Sequence, residues 1–181
     1  VASQINNGSS DACGLASLTL NNGSWSCANV GSNGVVLTVT DVNANTSTCS
    51  ATVMVLDTIK PIAICQNITA YLNAGGTATV VASQINNGSS DACGLASLAL
   101  NNGSWSCTNV GTNGVVLTVT DVNGNSASCT AFVTIVDTIA PTTPVLSDVL
   151  LGECGGSPDI PVASDVCGGM IIATTTTNFP I

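Results

Sequence analysis

The sequence predicts an all-β chain, a tandem row of small β-sandwich domains stapled by disulfides. Three observations carry this. The chain repeats itself internally, its β-branched residues alternate with polar ones, and it has nine cysteines among 181 residues with no histidine. VASQINNGSSDACGLASL at 1–18 returns at 81–98, and the match runs on to DTIKP at 57–61 and DTIAP at 137–141. About four in five aligned residues are identical, the mark of a duplicated folding unit. The expected division is therefore 1–60 as the C-terminal part of a first repeat, 61–140 as a complete repeat, and 141–181 as the N-terminal part of a divergent third. Val1 falls in mid-pattern, so both ends are expected to be cuts, with any secretion signal outside them.

Within the complete unit the elements follow in order. TATVVAS at 77–83, VVLTVTDV at 115–122 and CTAFVTIV at 129–136 alternate with period two, as half-buried strands do. NNGSS, NNGS and VNGN punctuate them as turns. Strands are expected at 62–72, 77–84, 95–100, in the region 104–112, at 114–121 and at 127–136, and no window has a helical period. The size of the unit 61–140, with a strand roughly every 8–12 residues, fits an immunoglobulin-like sandwich, strung into an extended array.

Aromatic residues are 3% of the chain, so each core rests on Val, Leu, Ile and one Trp, Trp25 or Trp105. Disulfides are expected to supply part of the stability, and an oxidising, extracellular compartment goes with them. Cys65, Cys93, Cys107 and Cys129 allow three pairings. Cys65–Cys129 with Cys93–Cys107 is the expected one, because the first and last strands of such sandwiches lie side by side. Cys13–Cys27 and Cys154–Cys167 would be the corresponding short bridges, leaving Cys49 without its partner.

Composition excludes several functions. With one Lys, no Arg and a net charge of -9, the chain cannot build the cationic footprint that nucleic acid requires. No apolar run reaches the roughly 20 residues that span a bilayer, so no transmembrane segment is expected. The lone Glu153 has no second carboxylate placed to cooperate with it, and without His the commonest general base is missing, so the chain is not read as an enzyme.

Oxygen ligands concentrate in two segments, GSSDACG at 88–94 and TDVNGN at 120–125. Asp121, Asn123 and Asn125 alternate around Gly124 like the start of a calcium loop, without the distal Glu of an EF-hand. In an immunoglobulin-like topology this loop and Asp91 share one end of the domain with Asp57 of the preceding linker. A calcium ion there would neutralise the carboxylates and stiffen the hinge. Asp11, Asp41, Asn43 and Asn45 are the first-copy counterparts, and Asp137 and Asp165 those of the third. The alternative is that these residues serve only as Asx turns.

C-x-N-I-T at 65–69, GSSDACG, NVG at 109–111, TVTDVNGN at 118–125 and VDTIAP at 136–141 together resemble hyalin-repeat (HYR-like) modules. Such modules build giant surface adhesins and filaments, notably proteins exported by the type IX secretion system of Bacteroidota. The resemblance implies an immunoglobulin-like fold, an extracellular or cell-surface address, and a structural or adhesive role. Its partners would be neighbouring repeats or subunits of the same fibre. The Asp-Thr-Ile strings also resemble an O-glycosylation motif of that phylum, which would place glycans on Thr58 and Thr138. A second reading is a module binding glycans, host surfaces or ice, with the TTTTN run at 174–178 as its face.

Overall fold

A computed structural model describes residues 1–144 and 162–172. The chain is nearly all-β. A one-turn helix α1 (Ala2–Ile5) is followed by β1 (Leu15–Leu20), β2 (Gly31–Asp41) and β3 (Thr46–Val55), which form one antiparallel sheet in the order β1-β2-β3. Then come β4 (Ile68–Tyr71), β5 (Thr77–Thr79), the one-turn helix α2 (Ala82–Ile85), β6 (Leu95–Leu100), β7 (Ser104–Ser106), β8 (Gly111–Asp121) and β9 (Ser126–Val136). They make a four-stranded sheet, β4-β9-β8-β6, faced by the two-stranded β5-β7. β10 (Val162–Asp165) and β11 (Gly169–Ile172) pair as a final hairpin.

The second copy is sandwich-like because the alternation of β8 and β9 puts one residue in two on an inner face. Val115, Leu117, Val119, Ala131, Val133 and Ile135 meet Ala78, Val80 and Trp105 there, with Leu72 and Ile85 closing the ends. β4 lies parallel to β9, so the first and last strands of this copy are neighbours, and Cys65 is bonded to Cys129.

Strand direction sets the rest. β8 runs back toward the preceding copy, while β9, β4 and β6 run away from it. The turn at Asn73–Thr77 reverses the chain into β5, and β7 is antiparallel to β5, so β7 points the same way as β6. The segment 101–103 is therefore a step from one sheet to the other and not a reversal. Asn101 still pairs with β8, donating its N–H to Val116 O and accepting the Val116 N–H at its side-chain oxygen. Gly103 O already accepts from Val80 N–H on the opposite sheet. Any Cβ at Gly103 would lie 2.6 Å from Val80 O, so the step requires glycine.

Strands at 95–100, 114–121 and 127–136 match the expected ones within three residues. The expected strand at 77–84 is corrected: it ends at Thr79, and Ala82–Ile85 form a helical turn. Gln84 Oε1 accepts the Val81 N–H at 2.9 Å, and the turn drives Ile85 fully into the core, which an extended backbone would not do from this position. The expected strand at 62–72 is likewise shorter, with isolated bridges at Ile62 and Cys65 before β4 begins.

Candidate junction site

Three segments meet where the first copy joins the second. The turn before β6 and the β8–β9 loop are tied by Val122 N–H to Gly94 O, 3.2 Å. Asn125 Nδ2 donates to the backbone oxygen of Asp57 at 3.3 Å, clamping the linker onto that loop. The carboxylates of Asp57 and Asp91 lie with Cys93 Sγ inside 4.8 Å of one another. Because Cys93 is bonded to Cys27, its sulfur is no thiolate, and the ligands on offer are the two carboxylates.

Each Asp is fixed by the same local rule, a carboxylate accepting a backbone N–H two residues ahead. Asp57 Oδ1 accepts from Ile59 at 3.0 Å, and Asp91 Oδ1 from Cys93 at 2.7 Å. Asp57 Oδ2 is buried and has no hydrogen-bond partner among the described residues. That orphan oxygen beside a second carboxylate is the feature of this site that turn chemistry leaves unexplained.

Asp121 behaves differently. It is 1% exposed, yet its Oδ1 accepts the N–H groups of Asn123 and Asn125, and its Oδ2 accepts Asn125 Nδ2 at 2.8 Å. Burial opposes its ionisation, but the donors of Asn125, Asn123 and Gly124 outweigh it and hold the carboxyl below the usual carboxylate range. Asp121 thus organises the loop that carries Asn125, and Asn123 stays exposed. The first-copy loop is built alike: Asp41 accepts from Asn45 and Asn43, chiefly the Asn45 side chain, which lowers its pKa. Asp11, Asp41 and Asn45 line an open cleft of about 140 Å³, the face that the Asp57 linker covers in the second copy.

At the next junction Asp137 and Asp165 again accept backbone N–H groups, from Ile139 and from Cys167 and Gly168. Among the described residues only Asp57, Asp91 and Cys93 form a close cluster. Thr58 and Thr138 are both exposed. Cys154 and the TTTTN run lie outside the described residues.

The bridges correct the expected short pairings. Cys27 of the first copy is bonded to Cys93 of the second, and Cys107 of the second copy to Cys167 of the segment that follows it, while Cys13 and Cys49 are free, exposed thiols. Cys93 and Cys107 cannot meet because β6 and β7 carry the chain from one end of the copy to the other without turning back. Cys93 sits by Asp57 and Cys107 by the turn at Gly76, where an added Cβ would lie 2.8 Å from Cys107 Sγ and 3.1 Å from Val166. Gly76 was not singled out in the sequence, and its only signal there is the Gly-Gly pair at 75–76.

Fold and bridges define an all-β chain with sandwich-like sheets and disulfides of the kind formed in oxidising, extracellular compartments. No protein-family model matches the sequence, and no curated protein matches it. Among solved structures the chain is similar to the extracellular cadherin domains 1–4 of protocadherin gamma B7, with 12% identity and a TM-score of 0.36. The match covers 83% of this chain and 49% of that one, so the chain spans about half of the neighbour's length.

Proposed function

We propose that this chain is a section of an extracellular stalk or filament, a structural or adhesive element in which immunoglobulin-like repeats divided at about 60 and 140 are joined end to end. The observation that carries the reading is the pair of disulfides between successive copies. A binding module needs one presented surface, whereas bridges repeated at each junction serve a chain that must keep its copies aligned. The hyalin-repeat-like motifs and the exposed Thr58 and Thr138, as glycan acceptors, agree with a cell-surface address. Partners on this reading are neighbouring repeats or subunits of the same fibre, and catalysis has no place in it.

Calcium at the Asp57–Asp91 junction is part of the proposal, supported by the orphan Asp57 oxygen. Two carboxylates, completed by water, suit a hard oxygen-seeking cation. Thermal unfolding of the whole chain with calcium and with chelator tests it: a higher Tm with calcium, lost in Asp57→Asn, is expected. No shift in the parent chain removes the ion and leaves the bridges to hold the junction. Electron microscopy of native material tests the stalk itself, and globular particles in place of fibres would end that reading.

A further inference from the structure

We infer that the disulfides form a covalent load path that bypasses most of the stretch from Cys27 to Cys167, so that this stretch cannot lengthen by unfolding when the chain is pulled. The inference deepens the stalk reading but is measured independently of it. From Cys27 to Cys167 the peptide backbone threads the end of the first copy, the whole of the second and the start of the third, yet the bonds Cys27–Cys93 and Cys107–Cys167 leave a shorter route. Those bonds cut out sequence separations of 66 and 60. The short route crosses one bridge, follows the chain from Cys93 to Cys107, and crosses the second bridge. Fully extended, the run from Cys93 to Cys107 spans about 50 Å, against about 490 Å for the whole stretch from Cys27 to Cys167. Each bridge adds a Cα–Cα step of 5.1 or 5.0 Å.

The geometry makes the short route nearly taut from the start. β6 and β7 point the same way and the step between them does not reverse, so the run from Cys93 to Cys107 is already laid out along the direction of pull. Everything outside it, including β8, β9 and the linker at Pro61, hangs on the path as an unloaded side loop. Cys65–Cys129 joins one side loop to the other and takes no load. The small apolar core therefore has to fold but does not have to resist force, which suits a domain with few aromatic residues.

The test is single-molecule force spectroscopy of the full chain held through tags at its two ends. Cys13→Ser and Cys49→Ser are included throughout to prevent stray cross-links. With bridges intact, the span from Cys27 to Cys167 is expected to reach no more than about 60 Å. In a phosphine reductant, which supplies two electrons per bridge and leaves thiols, the same span is expected to reach about 490 Å, roughly eightfold more. A variant carrying Cys27→Ser and Cys107→Ser keeps Cys65–Cys129 and is expected to extend as the reduced chain does, less the loop which that bridge closes. Bridges within copies, Cys93–Cys107 and Cys13–Cys27, would leave Cys65–Cys129 as the one shortcut between Cys27 and Cys167, so an oxidised span of about 270 Å would overturn the inference. A short oxidised span in material that forms no fibres would leave the bypass standing and remove the stalk.

Discussion

The first two copies are close to identical in sequence and differ in what they bury. Val115, Leu117, Val119, Val133 and Ile135 are enclosed in the second copy, while of the matching first-copy residues only Val35 and Leu37 are buried. β1, β2 and β3 pair as β6, β8 and β9 do, in the same register down to the bulge at Leu15/Ser17 and Leu95/Ser97, while among the described residues the first copy has no strand matching β7. What the second copy has in addition, within this chain, is the stretch 61–80, which adds β4 to one sheet and β5 to the facing one. Alternation in a strand specifies which face can be buried, and a second layer decides whether it is.

Trp105 and Trp25 give the largest way to break this comparison. Trp105 is enclosed against β5 and Trp25 is half-exposed, so Trp105→Ala is expected to cost about 3–5 kcal/mol and Trp25→Ala clearly less. Urea unfolding followed by hydrogen exchange in β8–β9 and β2–β3 measures each copy separately, and equal losses would show that both cores are equally closed.

Gly103 and Gly23 come next. Gly103→Ala pushes a Cβ onto Val80 O and is expected to cost about 2 kcal/mol, whereas Gly23 has nothing within 4 Å and Gly23→Ala should be near neutral. A smaller effect attends the β2–β3 and β8–β9 loops, where Ala44 has φ 69° and Gly124 has φ 92°. Ala44→Gly should stabilise its copy and Gly124→Ala should destabilise the other, each by about 1 kcal/mol in thermal melts.

Acid should act on both copies alike. Asp41 and Asp121 have folded pKa values lowered from 3.8, so their contribution is complete above that pH and is lost as pH falls through the lowered values. Loss of protection in both loops below about pH 4, followed by hydrogen exchange, checks this. A loop that opens already at about pH 6 would contradict the donor network of Asn45 or Asn125.

The sequence revealed the long strands because Val, Leu and Thr alternate there without interruption. It also pointed to Asp57, Asp91 and the Asp121 loop sharing one end, since that follows from the order of strands alone. Other features were hidden for physical reasons. V-A-S-Q-I reads as alternation, yet in both copies it closes a helical turn through backbone bonds, Asn6 N–H to Ala2 O and Asn86 N–H to Ala82 O. Asn-Asn-Gly at 101–103 looks like a reversing turn. Whether a glycine reverses a chain or lets it change sheets depends here on Val80, just past β5, which local sequence cannot show to be its neighbour. Cys93–Cys107 is what remains once Cys65 and Cys129 are paired, but only if every bridge stays within one copy. With β6 and β7 pointing the same way, Cys93 and Cys107 lie at opposite ends of the copy, and each is bonded to a cysteine outside it.

That arrangement has a consequence familiar from polymer chemistry. A copy with one outward-linking sulfur at each end is a difunctional monomer: linkage at one end leaves the other available, because the two sit too far apart to close on each other. Replacing Cys107 alone would make the copy monofunctional, a chain stopper in the disulfide backbone even though the peptide backbone runs on.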